Sequence, residues 1–447
     1  MDLRDVAQDL VARARRAGAE AADAVVGDSD GLEVGIRLGE VEKLKRSRER
    51  RAGLRVFVGG ATAIASSGDL SAAGLDALVD DAVALARVIA PDPCGGLPDA
   101  ADLATAQPDL ALYDAAVETI EPAAAFDRCR AAEEAARAAS AEITNSDGSE
   151  FGCGGGQVAL ASSHGFVGGY GSSSFSLTAV PIATRDGHMQ RDYWYSTSRT
   201  LDGLEPADAI GREAARRTLR RLGGRPVPTG EYPVVFDPEV AASLLRHLAG
   251  AISGGALYRR ASFLVDTIGQ AIAAPEVTIV DDPLRPRGLG SRPFDGEGVA
   301  SARRTIVKAG VLQSYLLDTY SARRLGLRTT GHAARAAGDA PGVSPTNLYL
   351  EAGPHAPEAI VRSVAKGLYV TELIGFGVNT VTGDYSRGAA GLWIENGELT
   401  HPVEEITIAG NLREMFRDIS MIGNDLRFRT ATAAPTIKIA RMMLAGT

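Results

Sequence analysis

The chain opens on a helical pattern. Leu3, Val6, Ala7, Leu10, Val11 and Ala14 recur at i, i+3, i+4 and i+7, which predicts an amphipathic helix closed by Gly18. From residue 20 the period shortens towards two. Stretches 21–26, 32–38, 53–58 and 62–66 read as short strands separated by Gly-Asp, Gly-Glu and Gly-Gly turns. Leu75, Leu78, Val79, Ala82, Ala86 and Ile89 return to helical spacing, and Pro91 and Pro93 stop that helix.

Residues 91–121 are rich in Pro, Ala and Asp and read as a connector. A helix over 122–140 follows, with Phe126, Cys129, Ala132 and Ala136 on one stripe, so Cys129 is expected as a small core residue. About four strands with Gly/Ser turns fill 141–200, and a helix spans 205–222 until Gly223-Gly224-Arg225-Pro226 breaks it. Beyond come a strand over 232–236, a helix over 238–252, and a long β-rich region with helices near 316–325 and 357–366. Residues 328–346, rich in Gly, Ala and Pro, suggest a mobile loop. The expected fold is α+β: an N-terminal sandwich-like unit (1–90), the connector (91–121), a middle unit of helix, β-meander and helix (122–224), and a β-rich C-terminal domain with a few helices (229–447).

Composition narrows the chemistry. With six His and three Cys in 447 residues, and no Cys after Cys153, neither a Cys-rich zinc site nor a disulfide framework is expected. A reducing, cytoplasmic location fits. The charged start at residues 1–5 lacks an apolar h-region, and no apolar run approaches the length of a membrane span. A net charge of −9 argues against bulk nucleic-acid or membrane binding. Arg212, Arg216, Arg217, Arg220, Arg221 and Arg225 cluster, but Glu205, Asp208 and Glu213 occupy the first half of the helix, the acid-first, base-last order that a helix dipole favours, so the cluster reads as a solvated helix face. Glycine is abundant, at 51 of 447 residues, which suggests many hairpins.

No P-loop or dinucleotide fingerprint is present; Gly375-Phe376-Gly377 lacks the third Gly. Ser386 sits in Gly383-Asp384-Tyr385-Ser386-Arg387-Gly388, which is not a nucleophile elbow. Tyr193-Trp194-Tyr195 reads as a strand packed on a sheet. His247 lies on the 238–252 helix behind a good N-cap, Asp237-Pro238. A helical zinc protease needs a second His about one turn further on and a Glu beside the first. Here Leu248, Ala251 and Ile252 occupy those positions, and the residue chemistry alone makes His247 a partly buried structural histidine.

Residues 368–398 (Leu-Tyr-Val-Thr-Glu-Leu-Ile-Gly-Phe-Gly-Val-Asn-Thr-Val-Thr-Gly-Asp-Tyr-Ser-Arg-Gly-Ala-Ala-Gly onward), 402–412, 344–350 and 247–263 strongly resemble the TldD/PmbA family, and the N-terminal elements fit the same family. One branch, TldD, carries His-Glu-x-x-x-His and is a zinc metalloprotease. The PmbA (TldE) branch lacks that motif, and this chain resembles it: Leu248 takes the Glu position, Ile252 the second His, and the late zinc-ligating Cys is missing. The resemblance implies no catalytic or metal-binding residue in this chain, and zinc in a TldD-like partner subunit. It implies a heterodimer enclosing a chamber that admits unfolded or leader peptides, and a homodimer is possible for the isolated chain. The family's association with DNA gyrase implies no direct nucleic-acid contact. Residues expected to face substrate or partner are His247, Tyr258, Arg259, Asp384, Tyr385, Ser386 and Arg387. A stand-alone hydrolase and a homodimeric peptide-binding scaffold are the alternatives.

Overall fold

The computed structural model describes residues 2–446. Helix α1 (Leu3–Arg16) begins where the Asp2 carboxylate accepts the backbone N–H of Arg4 at 2.9 Å. Strands β1 (Ala21–Arg37), β2 (Glu40–Val58) and β3 (Ala61–Ser67) follow, then α2 (Ala72–Ala86). The two stretches expected as separate strands at 21–26 and 32–38 are one strand. Gly27-Asp28 makes no turn, because β2 on one side and β4 (Ile143–Ser162) on the other hydrogen-bond along its whole length. Turns do form at Leu38-Gly39 and Gly59-Gly60.

With β5 (Val167–Arg185), β6 (His188–Arg191) and β7 (Trp194–Ser198) these strands make one seven-stranded sheet. Stretches 1–90 and 122–224 therefore share a sheet, through β1 and β4. The even residues of β1 explain its cover. Ala22, Ala24 and Val26 pack with α1 and α2, whereas Leu32, Val34 and Ile36 pack with α4 (Pro122–Ala138) and α5 (Ala207–Leu219). Both helix pairs thus lie on one face. Between them the short helix α3 (Ala116–Thr119) of the connector sits over Gly155, where a Cβ would strike Val117. Cys129 is buried in this core as expected, and burial pushes its thiol up to about 12.

The C-terminal part holds a small barrel. The order β17 (Glu398–Asn411), β16 (Asp384–Glu395), β15 (Lys366–Ile374), β8 (Gly230–Phe236), β20 (Ile437–Ala445) closes because β20 also pairs with β17. Val234, Phe236, Leu368 and Val370 pack in the same core as Leu244 and Leu248 of α6 (Pro238–Ala251). On the other face Val235 and Ile394 pack with Ile360 and Val361. The helix expected at 357–366 is shorter, Pro357–Arg362, and that near 316–325 is α8 (Thr319–Leu325).

The odd-numbered face of β1 meets the C-terminal part. Asp23, Arg55, Glu297 and Arg335 form a buried network, with Arg55–Asp23 at 2.6 Å, Arg55–Glu297 at 3.0 Å and Arg335–Asp23 at 3.0 Å. Residues 328–346, expected as a mobile loop, are instead pinned. Arg335 belongs to this network, and the backbone at Ala337–Gly338 lies so close to Gly53 that a Cβ there would collide.

Candidate functional site

Helix α6 starts where Asp237 accepts the N–H of Glu239 at 3.1 Å, with Pro238 in its first turn. The helix projects Glu239 and Arg246 into the seam between the barrel and the large sheet. His247 meets Tyr385 of β16 edge-to-face, with ring centroids 6.1 Å apart and planes at 79°. Neither polar end is satisfied. The His247 Nε2 and the Tyr385 hydroxyl are buried without a hydrogen-bond partner, as is the Nε of Arg387. Burial, then Arg387 and Arg246, lowers the imidazole pKa to about 4, so His247 is neutral at pH 7. Burial likewise raises the Tyr385 phenol above its usual range.

Beside this pair lies a cavity of about 220 Å³ between β7, α5, α6, β15 and β16. Tyr193, Trp194 and Tyr195 form its aromatic wall, and Arg217, Arg246 and Arg387 reach its lining. Trp194 is held between guanidiniums, with Arg429 over the ring at 4.2 Å and Arg217 at 5.0 Å. The Tyr195 hydroxyl donates to Glu239 at 2.8 Å, and Glu239 pairs with Arg429 at 3.3 Å. Burial still leaves the Glu239 carboxyl above its ordinary range.

The expected site residues divide into three groups. His247, Tyr385 and Arg387 come together. Asp384 and Ser386 alternate with Tyr385 along β16 and lie exposed. Asp384 accepts from the Thr382 hydroxyl at 2.6 Å and the Asn411 amide at 3.2 Å, which hold its carboxyl below the usual range. Ser386 uses its backbone N–H on the Gly377 carbonyl at 2.7 Å. Tyr258, in helix α7 (Gly254–Tyr258), meets Tyr320 of α8 edge-on at 5.8 Å and lines a separate cavity of about 490 Å³ with Arg55, Phe57 and Asp92. Arg259 packs over Tyr258 at 5.3 Å.

Sequence reasoning missed Arg217, Arg246, Glu239 and the 193–195 wall. Arg217 is not on a solvated face: its side chain is 6% exposed and paired with Asp192 at 3.4 Å. The pattern of i+3 and i+4 apolar neighbours could have flagged it, since Ile210, Ala214 and Arg217 fall on one buried stripe of α5.

The residues do not fit a zinc ion here. Leu248 and Ile252 are 1% and 0% exposed and belong to the apolar core, and His247 has guanidiniums for neighbours. Among the described residues no group of three or more His, Cys, Asp or Glu side chains is arranged to hold a metal.

The fold is a barrel packed against a long sheet whose helices all lie on the opposite face. Three family models match: the PmbA/TldA metallopeptidase domain 1 over 22–86, the central domain over 116–222 and the C-terminal domain over 229–446. The chain belongs to the PmbA/TldD family. It is 41% identical to Metalloprotease PmbA of Escherichia coli O157:H7 over 96% of this chain and 92% of that protein. It is 30% identical to a Metalloprotease TldD homolog of Haemophilus influenzae over 53% of this chain and 49% of that one. The fold superposes on a protein of Bacteroides thetaiotaomicron described as a modulator of DNA gyrase, with a TM-score of 0.92 and 30% identity over 99% of both chains. It also matches TldE of Thermococcus kodakarensis with a TM-score of 0.89, at 20% identity over 99% of this chain and 100% of that one, a likeness of fold.

Proposed function

We propose that this chain is the non-catalytic, PmbA/TldE-like subunit of a cytoplasmic zinc metalloprotease heterodimer. A TldD-like partner carries the zinc and cuts unfolded or leader peptides inside a chamber that the two subunits enclose. The observation that carries the reading is the surroundings of His247. The two positions where a zinc helix needs a general base and a second ligand are core residues, Leu248 and Ile252, and the imidazole faces Arg246 and Arg387. Relatives named metalloprotease, and a fold shared with a protein named TldE, support placement in a proteolytic assembly. No helix of the described residues is long and apolar enough to cross a membrane.

The test is reconstitution. The purified chain alone is expected to hold no stoichiometric zinc and to leave unstructured peptides intact. Mixed with a TldD-like subunit bearing His-Glu-x-x-x-His, it supports zinc-dependent cleavage. Cleavage with stoichiometric zinc by this chain alone overturns the proposal, and failure to restore cleavage with its partner favours a scaffold role.

A further inference from the structure

The cavity beside His247 is lined by three carboxylates and three guanidiniums, and their pairing leaves two of the guanidiniums without a close ion pair. Each carboxylate lining it already has a partner: Asp192 has Arg217 at 3.4 Å, Glu239 has Arg429 at 3.3 Å and the Tyr195 hydroxyl, and Glu372 has Arg221 at 2.6 Å. Two lining guanidiniums have none. Arg246 makes no hydrogen bond or ion pair among the described residues. Arg387 donates to the Leu373 carbonyl at 3.3 Å and lies against the Tyr385 hydroxyl, with no carboxylate paired to it among the described residues, and its Nε is buried and unused. Desolvation against the cavity wall lowers the Arg246 pKa, while Tyr195 and Glu239 attract its charge and Arg387 repels it; part of the side chain stays exposed to solvent, open to a ligand. The aromatic wall of Tyr193, Trp194 and Tyr195 gives the other side of the cavity apolar surface. Strand β7, which carries Trp194 and Tyr195, pairs only with β5 among the described strands.

From these observations we infer that the seam cavity is an anion subsite: Arg246 and Arg387 clasp a carboxylate of an extended peptide while the 193–195 wall packs its chain. A guanidinium pair suits this ligand because its N–H fork matches a carboxylate's two oxygens, and a low-dielectric wall strengthens the contact. Neutral His247, whose Nε2 is buried without a partner, and the Tyr385 hydroxyl beside Arg387 supply further polar groups next to the clasp without adding charge. The inference rests on the peptide-handling role proposed above and specifies its substrate: peptides bearing a carboxylate at one register position.

The carboxylate comes from either an acidic side chain or the peptide C-terminus, and the experiment separates them. Fluorescently labelled ten-residue peptides that differ only by Glu or Gln, each as C-terminal acid and amide, are titrated by anisotropy into the full-length chain. The carboxylate-bearing peptides are expected to bind about tenfold tighter than the neutral one at low salt. The Arg246→Gln/Arg387→Gln variant reduces them to the level of the neutral peptide. The single variant Arg246→Gln, whose melting temperature serves as folding control, shows part of the same loss. Sensitivity to amidation assigns the C-terminus, and sensitivity to Glu→Gln assigns the side chain. Equal affinities in the wild type, or a preference that survives the double variant, overturns the anion subsite. Cleavage by the reconstituted heterodimer is read in parallel. Cleavage without charge preference overturns the subsite and leaves the proposed function standing, whereas no binding and no cleavage overturns both.

Discussion

His247 is a base held away from its proton. Its pKa of about 4 lies below the ordinary 6.5, so the folded chain resists protonation in a range where an unfolded chain accepts it. The stability this contributes is complete above pH 6.5 and is lost as the pH falls from 6.5 towards 4. An NMR titration is expected to give a His247 midpoint near 4, and Arg387→Gln raises it, since the larger of the two charge contributions is removed. A wild-type midpoint near 6.5 contradicts this. The neighbouring Leu248 sits in a core with no counter-charge, and Leu248→Glu costs roughly 3 kcal/mol or more in a denaturant titration, because a carboxylate is buried without a partner. Adding Ile252→His does not create zinc-dependent cleavage by the chain alone. The sequence made the helix, its cap and the apolar residues at the positions a zinc helix needs legible, since these depend on residues close to His247 on one helix. Its contacts with Tyr385 and Arg387 were not legible, because they join positions far apart in the chain. The same limit hid the partners of Arg217, Trp194 and Asp192, although its place on the buried stripe of its own helix was legible.

At the level of elements, strand β1 corrects the simplest reading of glycine. Gly27 and Gly31 look like turn residues, yet both lie inside an unbroken strand with partners on either side. Small residues there and at 154–156 make a narrow waist between the two helix pairs rather than a pair of hairpins. The alternation of Ala22, Ala24, Val26, Leu32, Val34 and Ile36 was present in the sequence and keeps one parity throughout, which only a continuous strand does. Gly53 answers a different need, the close approach of the 337–338 backbone. Gly53→Ala is therefore expected to destabilise the protein by about 1–3 kcal/mol through overpacking, and to make the 335–343 segment cleavable by added protease. Unchanged melting and unchanged protection contradict the close contact. Mobility was expected for that segment from its composition, which says nothing about the strand it rests on.

Across the whole molecule, the large sheet and the C-terminal part are joined by buried charge. Removing one member leaves the others stranded, so Arg55→Met is expected to cost about 3–5 kcal/mol of unfolding free energy. By contrast Arg46→Ala, which removes an exposed pair with Asp30 at 3.8 Å, costs under about 1 kcal/mol. Similar losses for the two variants in parallel denaturant titrations would remove the network from any structural role. No charge pattern in the sequence announced this cluster, since its members stand at 23, 55, 297 and 335. Their spacing also sets an order of events during synthesis. Strand β1 gains its second neighbour only when β4 emerges from the ribosome, and the Asp23–Arg55 pair meets Glu297 and Arg335 only once most of the chain has been made. Until then the nascent sheet presents an unpaired edge and a charge pair still open to water, and the last part of the polypeptide acts as the latch that commits the first strands to their place.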